Sequence, residues 1–353
     1  MHRPILPQAD DERTLLERYN TIFEGTRYEM DTEEALKGSF VWNDPAFKED
    51  RFIDVESVWA PVLRLLDEHR RMVGFMLLLR TSPRHHAAPS SSTGRYHPPE
   101  DNGAAGQMIH EIKGVAQGLI LCDVLGYAKG SEDYDRLILG LSLHDHAKNG
   151  IPSTFALEEL PDNLKHRHNE DTRTSHTVNT HDVDMAMLLA HEAPRVIAVV
   201  AQGDEELEAS LLEDFKQVTR CVSWHSGPWR SDRPTLTGGK VTHCIKCKTE
   251  LPDNNAKYRR CPSCGQSNAQ YGRATGEEIA YAQLSVVNDA GYLQGYTHMA
   301  DYIVSRYSAD GVWTMSEDDF ATLRIVLPQL VEREHFVREF KDALMVLKKH
   351  LED

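Results

Sequence analysis

Apolar residues recur at three- and four-residue spacing along most of the chain, and the elements this predicts are helices. LLERYNTIFEG (15–25) and VWAPVLRLLDEHRRMVGFMLLLR (58–80) carry that spacing, so the first 80 residues read as helical with polar breaks. Residues 81–106, TSPRHHAAPSSSTGRYHPPEDNGAAG, are rich in Pro, Gly and Ser and read as loop. Helical periodicity resumes at Gln107 through IHEIKGVAQGLILCDVLG, and again in YDRLILGLSLHDHAK. A polar stretch from Asn149 to Thr180 separates these from HDVDMAMLLAHE, and LLEDFKQVTRCVSWH reads as a helix ending near His225. Residues 226–275 break the pattern, GEEIAYAQLSVVNDAGYLQGYTHMADYIVSR restores it, and the amphipathic segment 316–353 predicts one or two covering helices. No internal repeat is present. The expectation is a mainly α protein with one small β-rich insertion.

Composition narrows the class. A chain of 353 residues can bury a sizeable core and accommodates two or three units. No apolar run approaches the ~18 residues of a membrane span. The opening MHRPILPQADDERTLL lacks the layout of a signal peptide, so a cytoplasmic location is the default expectation, with no membrane partner. A net charge of −16 argues against a wholly basic nucleic-acid binder but leaves room for a local basic groove.

The candidate chemistry centres on LILGLSLHDHAKNG (137–150). Leu137, Ile138, Leu139, Leu141 and Leu143 predict a buried helix, and His144 and Asp145 follow it directly, where a core edge can hold a divalent metal. His110, His181, His225 and Asp301 each lie on or beside a helix with apolar neighbours. Imidazole and carboxylate ligands suit Mn, Fe, Ni, Co or Zn, whereas an all-oxygen set favours Mg or Ca. A cluster of this size can hold two ions, with a carboxylate such as Asp145 between them. Such a pair, ~3.5–4 Å apart, can clamp a phosphoryl group and activate a water.

The order H…HD…H…H…D resembles that of the HD-domain metal-dependent phosphohydrolases. RYHPPEDNGAAGQMIHEIKGVA resembles the family's approach to its first histidine, here His110. LHDHAK resembles its signature pair followed by a lysine, here His144, Asp145 and Lys148; HDVDMAMLL, VSWHSGPW and HMADYIVSR resemble the segments carrying His181, His225 and Asp301. The likeness covers roughly residues 80–306 without the insertion. It implies a helical phosphohydrolase core acting on nucleotides, cyclic nucleotides or nucleic acids. It also implies one metal held by His110, His144, Asp145 and Asp301 and a second by Asp145, His181 and His225. The expected ions are one or two of Mn, Fe, Ni, Co or Mg. Where several two-metal members carry a histidine pair, this chain has Trp224–His225; His176 rivals His181, and Asp289 rivals Asp301. Lys148 is the candidate for phosphate contact and transition-state charge. Arg84 and Arg95, with His85, His86 and His97, crowd the loop before His110 and are candidates to line a substrate mouth.

Cys244, Cys247, Cys261 and Cys264 form C-x2-C-x13-C-x2-C, two knuckles spaced to grip one structural zinc. Cys122 and Cys221 stand apart in apolar surroundings as expected buried thiols. From Pro228 to Thr275 nine basic residues face three acidic ones, a local balance of +6, with Tyr258 and Tyr271 as possible stacking surfaces. The expected organisation is an N-terminal helical region (1–80), an HD core (81–306) interrupted by the zinc ribbon (228–275), and a C-terminal helical region (307–353). The expected activity is hydrolysis of nucleic-acid phosphoesters by a metal-activated hydroxide, with a single strand as substrate. The alternatives are a nucleotidase or nucleotide phosphodiesterase, and a non-catalytic nucleic-acid-binding scaffold.

Overall fold

The computed structural model describes residues 21–26, 37–40, 51–85, 90, 97, 101, 106–148, 150–151, 155–165, 180–227, 247–250, 263–264, 286 and 289–305, with backbone alone for 37–40, 51–58 and 82–85. Within these, the protein is mainly α. Strands β1 (Lys37–Phe40) and β2 (Arg51–Asp54) form an antiparallel pair, Lys37 opposite Asp54 and Phe40 opposite Arg51, in a stretch whose pattern predicts helix. The helices are α1 (Val55–Leu63), α2 (Glu68–His85), α3 (Gly106–Leu125), α4 (Glu132–Leu143), α5 (Asp162–Lys165), α6 (His181–Ala201), α7 (Glu205–Trp224) and α8 (Tyr292–Val304).

The single apolar run at 58–80 divides into α1 and α2 because of Asp67. Its carboxylate accepts hydrogen bonds from the backbone N–H groups of His69 (3.0 Å) and Arg70 (3.3 Å), which caps α2 and stops α1. Helix α2 then runs across residue 80, and its Met72, Val73, Phe75, Met76, Leu77, Leu78 and Leu79 join the same core as α4 and α6.

Helix α4 is the axis of the fold. Every residue from Leu137 to Leu143 is buried. A helix apolar on all sides must be enclosed, and α2, α3, α7 and α8 enclose this one. Its acidic first turn, Glu132, Asp133 and Asp135, complements the positive end of the helix dipole. Arg70 and Arg136 meet Asp135 and Asp214 there, with Arg70 Nε 2.5 Å and Arg136 Nη2 2.6 Å from Asp214. These pairs tie α2, α4 and α7 together at one end and leave the opposite end of α4 to the histidines.

Helices α6 and α7 form an antiparallel hairpin. Gln202 ends α6 in the left-handed region (φ 51°), and the Asp204 carboxylate caps α7 by accepting from the backbone of Glu206 (3.1 Å) and Leu207 (3.0 Å). Cys122 and Cys221 are fully buried, as expected of inert thiols, and burial pushes both up to about 12. Among the described residues no helix is long and apolar enough to cross a membrane.

The α4–α7 contact depends on Gly140. A Cβ there would lie 2.7 Å from the Cys221 Cβ, an atom that only a backbone shift can move. Alanine at a helical glycine gains about 1 kcal/mol of propensity, whereas overpacking a tight core costs about 1–3 kcal/mol. Gly140→Ala is therefore expected to lower the urea midpoint; a raised midpoint would show that the two helices can separate at little cost.

Candidate metal centre

Each ligand candidate reaches the centre from a defined place on a helix. His144 is the residue that caps the C-terminus of α4 and His225 the one that caps α7. Both ring orientations are set the same way: His144 Nδ1–H donates to the Leu141 carbonyl (2.7 Å) and His225 Nδ1–H to the Val222 carbonyl (2.6 Å). A neutral imidazole whose Nδ1 donates must carry its lone pair on Nε2, so both rings present a ligand atom inward. Both helix C-termini also direct partial negative charge toward the same place, which favours a cation. His110 comes from the start of α3, His181 from the first residue of α6, and Asp301 from the last turns of α8.

The donor atoms fall into two groups. His110 Nε2 lies 2.9 Å from Asp301 Oδ1, 3.5 Å from Asp145 Oδ2 and 3.4 Å from His144 Nε2. His144 Nε2 lies 3.5 Å from Asp145 Oδ2 and 3.6 Å from Asp301 Oδ1. On the other side of the same carboxylate, Asp145 Oδ1 lies 3.1 Å from His181 Nε2 and 3.3 Å from His225 Nε2, which are themselves 3.1 Å apart. Asp145 thus gives one oxygen to each group.

These residues fit a divalent cation. Asp145 Oδ1 is buried and accepts no hydrogen bond, yet it faces the Nε2 lone pair of His225. Such atoms repel at this separation unless a proton or cation lies among them. Ligand atoms held at about 2.1 Å from one ion sit about 3.0–3.4 Å from each other in octahedral or tetrahedral geometry, close to the separations found. The cluster could therefore bind a divalent metal, consistent with a metal-dependent hydrolase.

The surrounding charges are arranged for the same end. Burial opposes ionisation of Asp145, but Lys148 and His144 outweigh it and hold the carboxyl well below its usual range. Burial likewise opposes ionisation of Asp301, which His110 and His144 hold low. Burial alone would lower His110; Asp101 and Asp301 reverse that and lift it to about 9. His144 is also raised, Asp145 and Asp301 overcoming burial. In the metal-free protein the His110 imidazolium supplies positive charge to Asp301 and Asp101.

Further residues hold the ligands in place. Asp101 is buried with Oδ2 3.7 Å from His110 Nδ1 and 3.8 Å from His97 Nδ1, and Lys113 Nζ donates to its Oδ1 at 2.8 Å. A His110 that turns Nε2 toward Asp301 keeps a proton on Nδ1 on the side of Asp101, so Asp101 and His97 read as outer support of His110 in the first group. Burial, together with Lys148 and His110, pushes His97 down to about 3, so it is neutral. His298 Nδ1–H donates to the His225 carbonyl at 2.7 Å. Gly227 follows with φ 54°, and a Cβ there would fall on the His298 ring, so only glycine lets the chain leave α7 over that histidine.

The sequence-predicted residues divide clearly. His110, His144, Asp145, His181, His225 and Asp301 come together, and Lys148, buried, donates to Asp145 Oδ2 at 2.6 Å. Asp289 is exposed and is not among them. Arg84 lies in the last turn of α2 with its side chain outside the described residues, and Arg95 and His176 lie outside them altogether. Of the ribbon, Cys247 and Cys264 are exposed, while Cys244 and Cys261 fall outside the described residues, so the zinc expectation does too. Sequence reasoning missed Asp101, Gln107, Glu111 and His146, all buried around the ligands. A charged or amide residue on an otherwise apolar helical face, as at Gln107 and Glu111, is the signal that was present. Comparison with family models, curated proteins and solved structures finds no match.

Metal uptake must displace the His110 proton. In the metal-free protein His110's stabilising contribution is complete below its unfolded value of about 6.5, and it is lost as pH rises through about 9. Affinity for Mn2+ is therefore expected to rise across that window. At pH 7.5, titration calorimetry in two buffers of different ionisation enthalpy should show proton release on binding. Heats independent of the buffer would contradict the protonated His110.

Proposed function

We propose that the chain is a metal-dependent phosphohydrolase that cleaves phosphoester bonds of nucleic acid, with a single strand as its substrate. The observation that carries the reading is the division of the Asp145 carboxylate between two groups of buried histidine donors. Divalent ions bound there would supply Lewis acidity toward a phosphoryl oxygen and would acidify a water enough to attack at neutral pH. The protein's part is to keep that arrangement rigid and dry. His144 and His225 are locked in one tautomer by backbone carbonyls, so neither has to reorganise. The Lys148 ammonium rests on Asp145 at the edge of both groups. There it can stabilise negative charge growing on an attacked phosphoryl group.

His110, His144, Asp145 and His225 side chains are at most 2% exposed, whereas His181 and Asp301 retain 14% and 16%. A phosphate would therefore meet the cluster first at His181 and Asp301. The +6 balance of residues 228–275 supports a polyanion over a mononucleotide. The net charge of −16 and the burial of the histidine donors favour a second reading, hydrolysis of small nucleotides.

Manganese-supplemented protein is expected to release mononucleotides from single-stranded RNA or DNA and to leave nucleoside triphosphates intact. Activity on triphosphates alone would transfer the assignment to the second reading. Asp145→Asn should abolish detectable turnover. Lys148→Met should lower kcat roughly 10²-fold with little change in KM. Full turnover in Asp145→Asn would take the chemistry away from this centre, and no turnover of polymer or triphosphate by the manganese-loaded wild type would remove the hydrolase reading and leave a binding scaffold.

A further inference from the structure

A second buried polar system lies behind the ligands. The Gln107 amide, on the first turn of α3, donates to Asp145 Oδ2 at 2.9 Å and to Glu111 Oε1, one turn along, at 3.3 Å. Glu111 Oε2 lies 3.4 Å from His146 Nε2, and His146 Nδ1 is in short contact with the Thr81 hydroxyl on α2. Thr81 in turn donates to the Leu77 carbonyl at 2.8 Å. Thr81, Gln107, Glu111 and His146 are all fully buried or within about 1% of it.

The orientation of Gln107 is forced. Its NH2 group must face Asp145, because the alternative would set an amide oxygen against a carboxylate oxygen. Asp145 Oδ2 then receives Gln107 and Lys148, while Oδ1 receives no hydrogen bond. The carboxylate is held by one oxygen and leaves the other facing His181 and His225. The neighbouring residue turns the other way: His146 faces away from the cluster, its Nδ1 against Thr81 and its Nε2 3.4 Å from the carboxylate that Gln107 binds, so the Gln107 amide is the hydrogen bond that ties side chain 145 to α3.

We infer that Gln107 is the positioning residue that makes Asp145 serve two ions at once, with Glu111, His146 and Thr81 anchoring it. This deepens the proposed function and rests on its metal centre. With Gln107 in place, the carboxylate plane is fixed so that Oδ2 faces His110 and His144 while Oδ1 faces His181 and His225. Without it, Lys148 alone holds Oδ2 through a flexible stem, the plane can rotate, and one oxygen no longer reaches its ion. Loss of such an outer hydrogen bond weakens metal binding roughly 10–100-fold.

The test is Gln107→Met, which keeps length and volume and removes the donor, with Gln107→Asn as a second variant that keeps the amide but shortens its reach. Calorimetric titration with Co2+ is expected to give two ions per wild-type chain. In both variants one ion should bind as in wild type and the other at least about tenfold more weakly, while the metal-free proteins keep the wild-type far-ultraviolet circular dichroism and melt cooperatively. The Mn2+-loaded wild type should show the electron paramagnetic resonance of a coupled pair, and the variants that of isolated ions. Two ions bound with wild-type affinity and coupling in either folded variant would overturn the role of Gln107 and leave the metal centre standing. A wild-type chain that takes up no Co2+ would overturn the centre itself and this inference with it.

Discussion

One carboxylate organises this protein. Asp145 is 1% exposed, ionised, and shared between two sets of histidine nitrogens. A bare carboxylate in so dry a place is costly, because burial penalises its charged form by several kcal/mol or more. The fold meets that cost with Lys148, Gln107 and a ring of imidazoles. The elements around it follow from that requirement: α3 supplies Gln107 and His110, α6 supplies His181, α7 ends at His225, and α8 brings Asp301.

The ends of α4 and α7 show how local structure makes the centre. Both helices stop where a histidine turns its Nδ1–H back to a carbonyl three residues earlier, so the residue that finishes the helix also aims a ligand atom. The same turn adds the negative end of a helix dipole. Close approach of α4 and α7 at Gly140 and Cys221 brings these two ends together, and His144 and His225 lie with ring centroids 4.8 Å apart. Packing in the core therefore determines spacing at the centre.

Much of this was legible in the sequence, for identifiable reasons. A helix apolar on every face, 137–143, has nowhere to be but inside, and a His–Asp pair at its end has few uses other than a polar site. His181, His225 and Asp301 were legible through their order and their apolar neighbours. The residues behind them were not. Asp101 sits in a Pro- and Gly-rich stretch where an acid looks solvated, and His146 directly follows the two ligands in a run of three polar residues. Which of the three turns inward is a matter of the turn after α4, and no periodicity describes a turn. The break between α1 and α2 was hidden for a similar reason: one capping carboxylate, Asp67, outweighs an unbroken apolar rhythm.

Stability does not account for so much polarity inside the bundle. His110, Glu111, His144, Asp145 and His146 are all buried beside an otherwise continuous apolar core. Replacing buried ionic groups by apolar ones of similar volume is often neutral or stabilising, so a chain shaped only for folding has no need of them. Nor are they isolated: Asp101 stands behind His110, Gln107 and Glu111 behind Asp145, and His298 behind His225. A partly satisfied polar network is worse for folding than none. Here each of these ligands has support on its far side while its near side faces other lone pairs, as at Asp145 Oδ1 and His225 Nε2. A cation among those atoms would remove the repulsion between them, which is why the cluster could bind a divalent metal.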